Sequence, residues 1–293
     1  MQRGLRPAPC ATRGTRRVTI VQVGDVNLAY ETWGTTGDPV VLIHGSLVDH
    51  HAWDAVVGPL SASLQVLVYD RRGYGESSGP PRTRAVRDDS GDLAQLLDRT
   101  ELFPAHLVAH SYAGAVALRL AIDRPELVRS LALHEPPMVG LLEHDPSTAV
   151  EARRWKEWIE QRRHEIRSGE VERATREVVN VFSAREGAWD RLRPEVRASA
   201  IRWMALWSDE FADPESIEPE PGTVEELLIP VLLTTGQLSP EFVHQISTSL
   251  GALLRNSDQR SIPGAGHVPQ VTAPDRFLGV LTTFLLERTV PTA

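Results

Sequence analysis

The sequence predicts an α/β fold: a mostly parallel sheet with helices on both faces, interrupted by an inserted α-helical segment. Three observations lead to it. Short, predominantly apolar runs recur at residues 39–43, 64–69, 107–109 and 229–235, the pattern of strands buried on both faces. Amphipathic helical stretches alternate with those runs, and this alternation argues for parallel strands joined by crossover helices. The alternation stops near Met138 and resumes near Leu228, and the interval is helical, charged and rich in tryptophan.

Taken in order, residues 18–23 and 26–33 flank Gly24-Asp25 and read as a β-hairpin. The run 39–43 is a buried strand ending in His44-Gly45-Ser46, followed by a helix over 52–62. The run 64–69 ends in Asp70-Arg71-Arg72-Gly73-Tyr74-Gly75-Glu76-Ser77. Residues 88–99 form a helix with Leu93, Leu96 and Leu97 on one face. Residues 107–109 run straight into His110-Ser111, and a helical pattern with Ala113, Val116, Ala117 and Leu120 on one face begins at once. A strand at 130–133 ends in His134-Glu135-Pro136-Pro137.

The insertion holds helices over 152–168, 171–183 and 194–207. Its tryptophans (Trp155, Trp158, Trp189, Trp203 and Trp207) suggest, as a group, the roof of an apolar pocket. Residues 213–225 are acidic, carry three prolines and read as a linker back to the core. A strand at 229–235 ends in Gly236-Gln237-Leu238-Ser239-Pro240, and a helix at 241–253 follows. A strand at 259–262 leads into Pro263-Gly264-Ala265-Gly266-His267-Val268-Pro269, and a helix over 275–286 closes the chain. The expected organisation is a core of 18–137 and 228–293, a helical cap of 138–227, and a disordered arginine-rich tail of 1–17.

Composition limits the function. The 293 residues are 41% hydrophobic, enough for one large core with an insertion. The formal net charge of -8 gives no reason to expect a nucleic-acid partner. No run approaches the roughly 18 apolar residues of a transmembrane helix. The tail lacks the apolar stretch of a secretory signal, so a cytoplasmic location is expected. One cysteine, Cys10, cannot form an intramolecular disulfide or a cysteine-based zinc cage. Neither a cofactor nor a metal is expected. The oligomeric state is left open, a homodimer included.

In a parallel sheet, ligands bind beyond the carboxyl ends of the strands. Ser46, Ser111 and Glu135 all fall at such ends. A strand, one exposed residue and a helix make the sharp turn that lifts a serine hydroxyl out of the backbone. Only small residues fit two before and two after that serine, and Ala109 and Ala113 meet the demand. A serine needs a base, the base needs an orienting partner, and the developing oxyanion needs backbone donors. His267, in its glycine-rich loop, is the best placed base of the ten histidines. His44 reads as a loop anchor and His110 as a buried neighbour of the serine. His50 and His51 are candidates for the pocket mouth, and a metal site on His44, His50 and His51 is remote. The N–H groups of Ser46 and Tyr112 are the candidate oxyanion donors.

The four motifs together resemble the capped, lipase- and esterase-like α/β-hydrolase superfamily: His44-Gly45, Asp70-x-Arg72-Gly73-x-Gly75-x-Ser77, Ala109-His110-Ser111-Tyr112-Ala113-Gly114, and Gly264-Ala265-Gly266-His267-Val268-Pro269. The resemblance covers residues 18–137 and 228–288. It implies a Ser111–His267 pair and an aspartate after the strand at 229–235. Here that position holds Ser239, which cannot serve as a carboxylate. Glu135, 24 residues beyond Ser111, takes the place of the acid in the resemblance to zearalenone-lactonase-like enzymes, which carry a glutamate in a His-Glu-x-Pro context. Glu241 is the second choice and Asp70 the third. The expected activity is hydrolysis of a small-to-medium apolar ester or lactone by Ser111, His267 and Glu135. Carbon–carbon bond hydrolysis, thioester hydrolysis, cofactor-free haloperoxidation and a non-catalytic ligand receptor are the alternatives on the same scaffold. Dehalogenation is disfavoured, because it needs a carboxylate where Ser111 stands.

Overall fold

The computed structural model describes residues 18–79, 85–183 and 187–287. The tail expected at residues 1–17, with Cys10, lies outside them. Eight strands form one sheet: β1 (Thr19–Val23), β2 (Val26–Trp33), β3 (Pro39–Ile43), β4 (Gln65–Tyr69), β5 (Ala105–His110), β6 (Val128–His134), β7 (Val231–Gly236) and β8 (Ser257–Ile262). Their order is β1-β2-β4-β3-β5-β6-β7-β8. The β1–β2 and β2–β4 pairs are antiparallel, and every later pair is parallel.

The central strands are buried on both faces, as their apolar runs require. Successive side chains point to opposite faces, so each strand feeds two cores. Val40, Leu42, Val66, Val68, Val108 and Leu232 face one side. There they meet α1 (Asp54–Leu60) and α11 (Pro274–Glu287) through Val56, Leu60, Phe277 and Leu281. Val41, Ile43, Leu67, Leu107, Leu131 and Leu233 face the other side. That face is covered by α2 (Val86–Thr100), α3 (Ala113–Asp123) and α9 (Glu241–Leu253), through residues such as Leu93, Leu97, Val116, Leu120 and Ile246.

Between β6 and β7 the chain makes a helical excursion. It holds α4 (Ala149–Arg167), α5 (Val171–Phe182), α6 (Ala188–Arg191), α7 (Pro194–Glu210) and α8 (Pro221–Glu225). α4, α5 and α7 pack on one another through Ile159, Ala174, Val178, Met204 and Trp207. The stretch expected as a plain acidic linker is more ordered than that. It contains a short 3-10 turn at Pro214–Ser216 as well as α8. Asp213 caps the start of α2 by accepting from Val86 N at 2.7 Å. The acidic residues thus dock the segment onto α2 rather than merely solvating it. The predicted helix over 52–62 is a 3-10 turn at His50–Trp53 followed by α1, and α10 (Pro269–Thr272) was not predicted. No helix among the described residues is long and apolar enough to cross a membrane.

Candidate active site

The parallel register brings the strand ends together. His110 of β5 pairs with His134 of β6, so Ser111 and Glu135 are the next residues on neighbouring strands. Ser111 N donates to His134 O at 2.9 Å, and Glu135 N donates to Thr234 O at 3.1 Å. Both residues then leave the ladder in left-handed backbone conformations, with φ of 55° and 49°. Side chains with a Cβ rarely adopt this conformation, at a cost of about 1–2 kcal/mol each. Four described non-glycine residues have positive φ: Leu47, Glu101, Ser111 and Glu135. Three of them, all but Glu101, line one cavity. That concentration of strain makes this cavity the candidate functional site.

Ser111, Glu135 and His267 all face that cavity. Glu135 Oε2 lies 2.6 Å from His267 Nδ1. A carboxylate only accepts, so Nδ1 carries a proton, and a ring protonated there alone keeps its lone pair on Nε2. The other Glu135 oxygen, Oε1, accepts from Gly236 N and from Ser239 Oγ, each at 2.6 Å. Ser239 therefore stands where the resemblance led us to expect an aspartate, and it donates to the carboxylate supplied from the neighbouring strand. Burial would raise the Glu135 carboxyl. Electrostatic attraction to His134 and His267 and the hydrogen bonds from His267 and Ser239 outweigh burial and hold it well below the usual carboxylate range. Glycine is required at 236, because a Cβ there would sit 2.5 Å from the carbonyl oxygen of Gly266. The His267 loop can approach β7 only over a bare backbone.

His110 supports the same loop. Its Nε2 donates to His267 O at 2.7 Å, and its ring centroid lies 4.7 Å from that of His267. Burial, reinforced by repulsion from the two neighbouring imidazoles, pushes its pKa well below the ordinary histidine value. His44 accepts from Arg71 N through Nε2 at 2.9 Å and donates from Nδ1 to Gly45 O at 2.7 Å. Burial, and then the Arg71 charge, bring its pKa down to about 3, so it is a neutral loop anchor. His50 Nδ1 and the Asp70 carboxylate are 2.8 Å apart, and Asp70 also accepts from Glu76 N at 2.8 Å. Asp70 thus holds its own loop and is not joined to His267. Glu241 is exposed at the start of α9, outside the cavity lining. Among the described residues, no group of three or more His, Cys, Asp or Glu could hold a metal ion.

A family model for the alpha/beta hydrolase fold matches residues 38–274. The chain belongs to the α/β-hydrolase family. It is 35% identical over 122 residues to a fluoroacetate dehalogenase of a Burkholderia species, covering 39% of each chain. It is 39% identical over 101 residues to 2-hydroxymuconate semialdehyde hydrolase of Pseudomonas sp. strain CF600, covering 33% of this chain and 36% of the relative. The chain spans only 41% and 32% of the length of two further curated relatives that it matches at 34% and 33% identity. The solved enol-lactonase from Burkholderia xenovorans LB400 superposes with a TM-score of 0.70 at 18% identity, over 92% of this chain and all of that one. That likeness shows the shared fold.

The cavity of this α/β-hydrolase measures about 270 Å³. Trp155, Trp158, Phe182, Trp207, Phe211 and Phe242 form much of its wall. Three of the five insertion tryptophans thus serve as lining. Trp189 and Trp203 do not: both are buried, and Trp203 packs 5.4 Å from Tyr74. Of the candidate oxyanion residues, Ser46 lines the cavity, and Tyr112 is fully buried directly after Ser111. Two residues at this edge escaped sequence reasoning. Arg71 occupies a variable position of its motif and is fully buried, with its guanidinium against the rings of Tyr74 and Tyr112. Glu210 ends α7 in a run of polar residues and is also fully buried.

Proposed function

We propose that this α/β-hydrolase cleaves a neutral carboxylic ester or lactone through an acyl-enzyme on Ser111. The observation that carries the reading is the 2.6 Å contact between Glu135 and His267 at the wall of an apolar cavity shared with Ser111. Ser111 Oγ attacks the carbonyl carbon while His267 Nε2 takes its proton. Glu135 fixes the tautomer and stabilises the imidazolium. The carbonyl oxygen becomes an oxyanion facing the N–H groups of Ser46 and Tyr112. The intermediate collapses, the carbon–oxygen bond to the alcohol breaks, and His267 returns the proton to the leaving alkoxide. Water, deprotonated by His267, then attacks the acyl carbonyl and releases the acid and Ser111. The helical insertion acts as the cap over this edge. Ser111 in the nucleophile position supports this chemistry over dehalogenation, which needs a carboxylate there.

Cavity chemistry supports a substrate class. The volume lies at the small end for ligand sites. Among the described lining residues there is no lysine or arginine, and the carboxylate among them is the anionic Glu135. Fluoroacetate and 2-hydroxymuconate semialdehyde, in the names of two relatives, each carry a carboxylate. Burying an unpaired carboxylate in this cavity would be costly. The wild-type enzyme should therefore hydrolyse p-nitrophenyl butyrate and hexanoate. It should use the mono-p-nitrophenyl ester of glutarate with a kcat/KM lower by about 100-fold. Failure on every neutral ester and lactone would sink the proposed reaction. Equal or better use of the glutarate ester would sink the substrate class.

A further inference from the structure

The cap and the oxyanion loop are joined by one buried carboxylate. Glu210, the last residue of α7, accepts from Ser46 Oγ at 2.5 Å and from Tyr74 Oη at 3.0 Å, and pairs with Arg71 Nη2 at 2.8 Å. Arg71 does more than neutralise it. Its Nε donates to His44 O at 2.9 Å, its Nη2 donates to Gly45 O at 3.0 Å, and its Nη1 donates to Asp89 at 3.1 Å. Gly45 O also accepts from His44 Nδ1. That carbonyl and the Ser46 N–H are the two ends of one planar peptide unit, so fixing the oxygen fixes the opposite direction of the N–H. Two donors on the oxygen also polarise the peptide and strengthen its N–H as a donor. The loop packs closely against β5 here: a Cβ at Gly45 would lie 2.6 Å from His110 Nδ1.

We infer that Glu210 is a positioning residue for the oxyanion hole, acting from the cap through Arg71 and Ser46. The inference rests on the Ser111 acyl-transfer reading. The cap thereby does more than roof the cavity. When α7 is seated, Glu210 sets both the Ser46 side chain and the guanidinium that aligns the Gly45–Ser46 peptide. Oxyanion stabilisation is then complete only with the cap in place. A bond that merely stabilised the fold would leave turnover by folded protein unchanged.

The test compares wild type with Glu210→Gln and Ser46→Ala at a temperature where circular dichroism shows each fully folded. For Glu210→Gln, kcat on a neutral p-nitrophenyl ester should fall about 30-fold with KM within about 3-fold. An alkyl trifluoromethyl ketone, which binds as a hemiketal oxyanion on Ser111, should lose affinity in parallel with kcat. The methyl ketone of the same chain should not. Ser46→Ala keeps the buried ion pair and its own backbone N–H, so it should show the same pattern at about 5-fold. If Glu210→Gln fails to fold, Ser46→Ala decides. Unchanged kcat, or equal weakening of both ketones, would overturn the inference. Hydrolysis surviving in Ser111→Ala would be a different failure, that of the underlying acyl-transfer reading.

Discussion

Glu135→Gln is expected to lower kcat by about 10³- to 10⁴-fold while leaving the protein folded. The size follows from the count of donors. Glu135 accepts three hydrogen bonds, from Gly236 N, Ser239 Oγ and His267 Nδ1. A glutamine offers one oxygen and one NH₂ group. If its oxygen stays with Gly236 and Ser239, its NH₂ meets His267 Nδ1 and favours the ring tautomer protonated on Nε2. That tautomer cannot take a proton from Ser111. If the amide turns over, its NH₂ faces two donors instead. Ser239→Ala removes one donor and leaves the carboxylate its other two, so a fall of about 3- to 10-fold is expected. Stopped-flow or steady-state hydrolysis of one neutral ester by both variants decides the point. Near-normal turnover by Glu135→Gln, or a larger loss in Ser239→Ala, would show that the acid is misassigned.

The second large effect is on stability in acid. Four buried histidines have pKa values below the ordinary 6.5. His44 is brought down to about 3 by burial and the Arg71 charge. His106 is brought to about 4 by burial and Arg129, and His134 to about 4 chiefly by burial. His110 is lowered well below 6.5 by burial and the neighbouring imidazoles. Each stays neutral in the fold while the unfolded chain takes up a proton below pH 6.5. Stability is therefore present above 6.5 and drains away as the pH falls toward the folded values. Over the interval from pH 7 to 5 the four together should remove on the order of 7 kcal/mol. His50 works the other way. Its pKa is raised, because hydrogen bonding and attraction to Asp70 outweigh burial, so its stabilisation is full below 6.5 and fades above its folded value. The carboxylates of Asp70 and Glu135, held low, lose their contribution only below the ordinary carboxylate range. The measurement is the urea midpoint at pH 7 and at pH 5. His106→Gln, remote from the cavity, should make the slope shallower by about a quarter. An unchanged midpoint would contradict the neutral, buried state of these rings.

Legibility in the sequence followed the range of the signal. The sheet was readable because Pro39–Ile43 and its counterparts must bury both faces, which leaves a local apolar run. Ser111 and Glu135 stood out as candidates because each directly follows a strand, and His267 because it lies in a glycine-rich loop after the last strand. The role of Ser239 was half readable: its identity showed that no carboxylate stood there, but the bond to Glu135 depends on β6 and β7 being neighbours. Glu210 was not readable. A glutamate beside Asp209 near a helix end has the pattern of a solvated face, and its burial comes from a partner 139 residues earlier. Arg71 was hidden in the same way, since the four backbone and carboxylate partners of its guanidinium come from β3's loop, α2 and α7. The tryptophans show the limit of periodicity. Trp203 and Trp207 are four apart on α7, yet only Trp207 reaches the cavity.

The central claim is that one serine, Ser111, carries the acyl group. The most direct measurement is reaction with a fluorophosphonate, followed by peptide mass spectrometry and an ester-hydrolysis assay on the same sample. The account predicts a single phosphonyl adduct on Ser111, forming in step with complete loss of hydrolysis. An adduct on any other residue that abolishes activity, or full hydrolysis by protein labelled at Ser111, would contradict it.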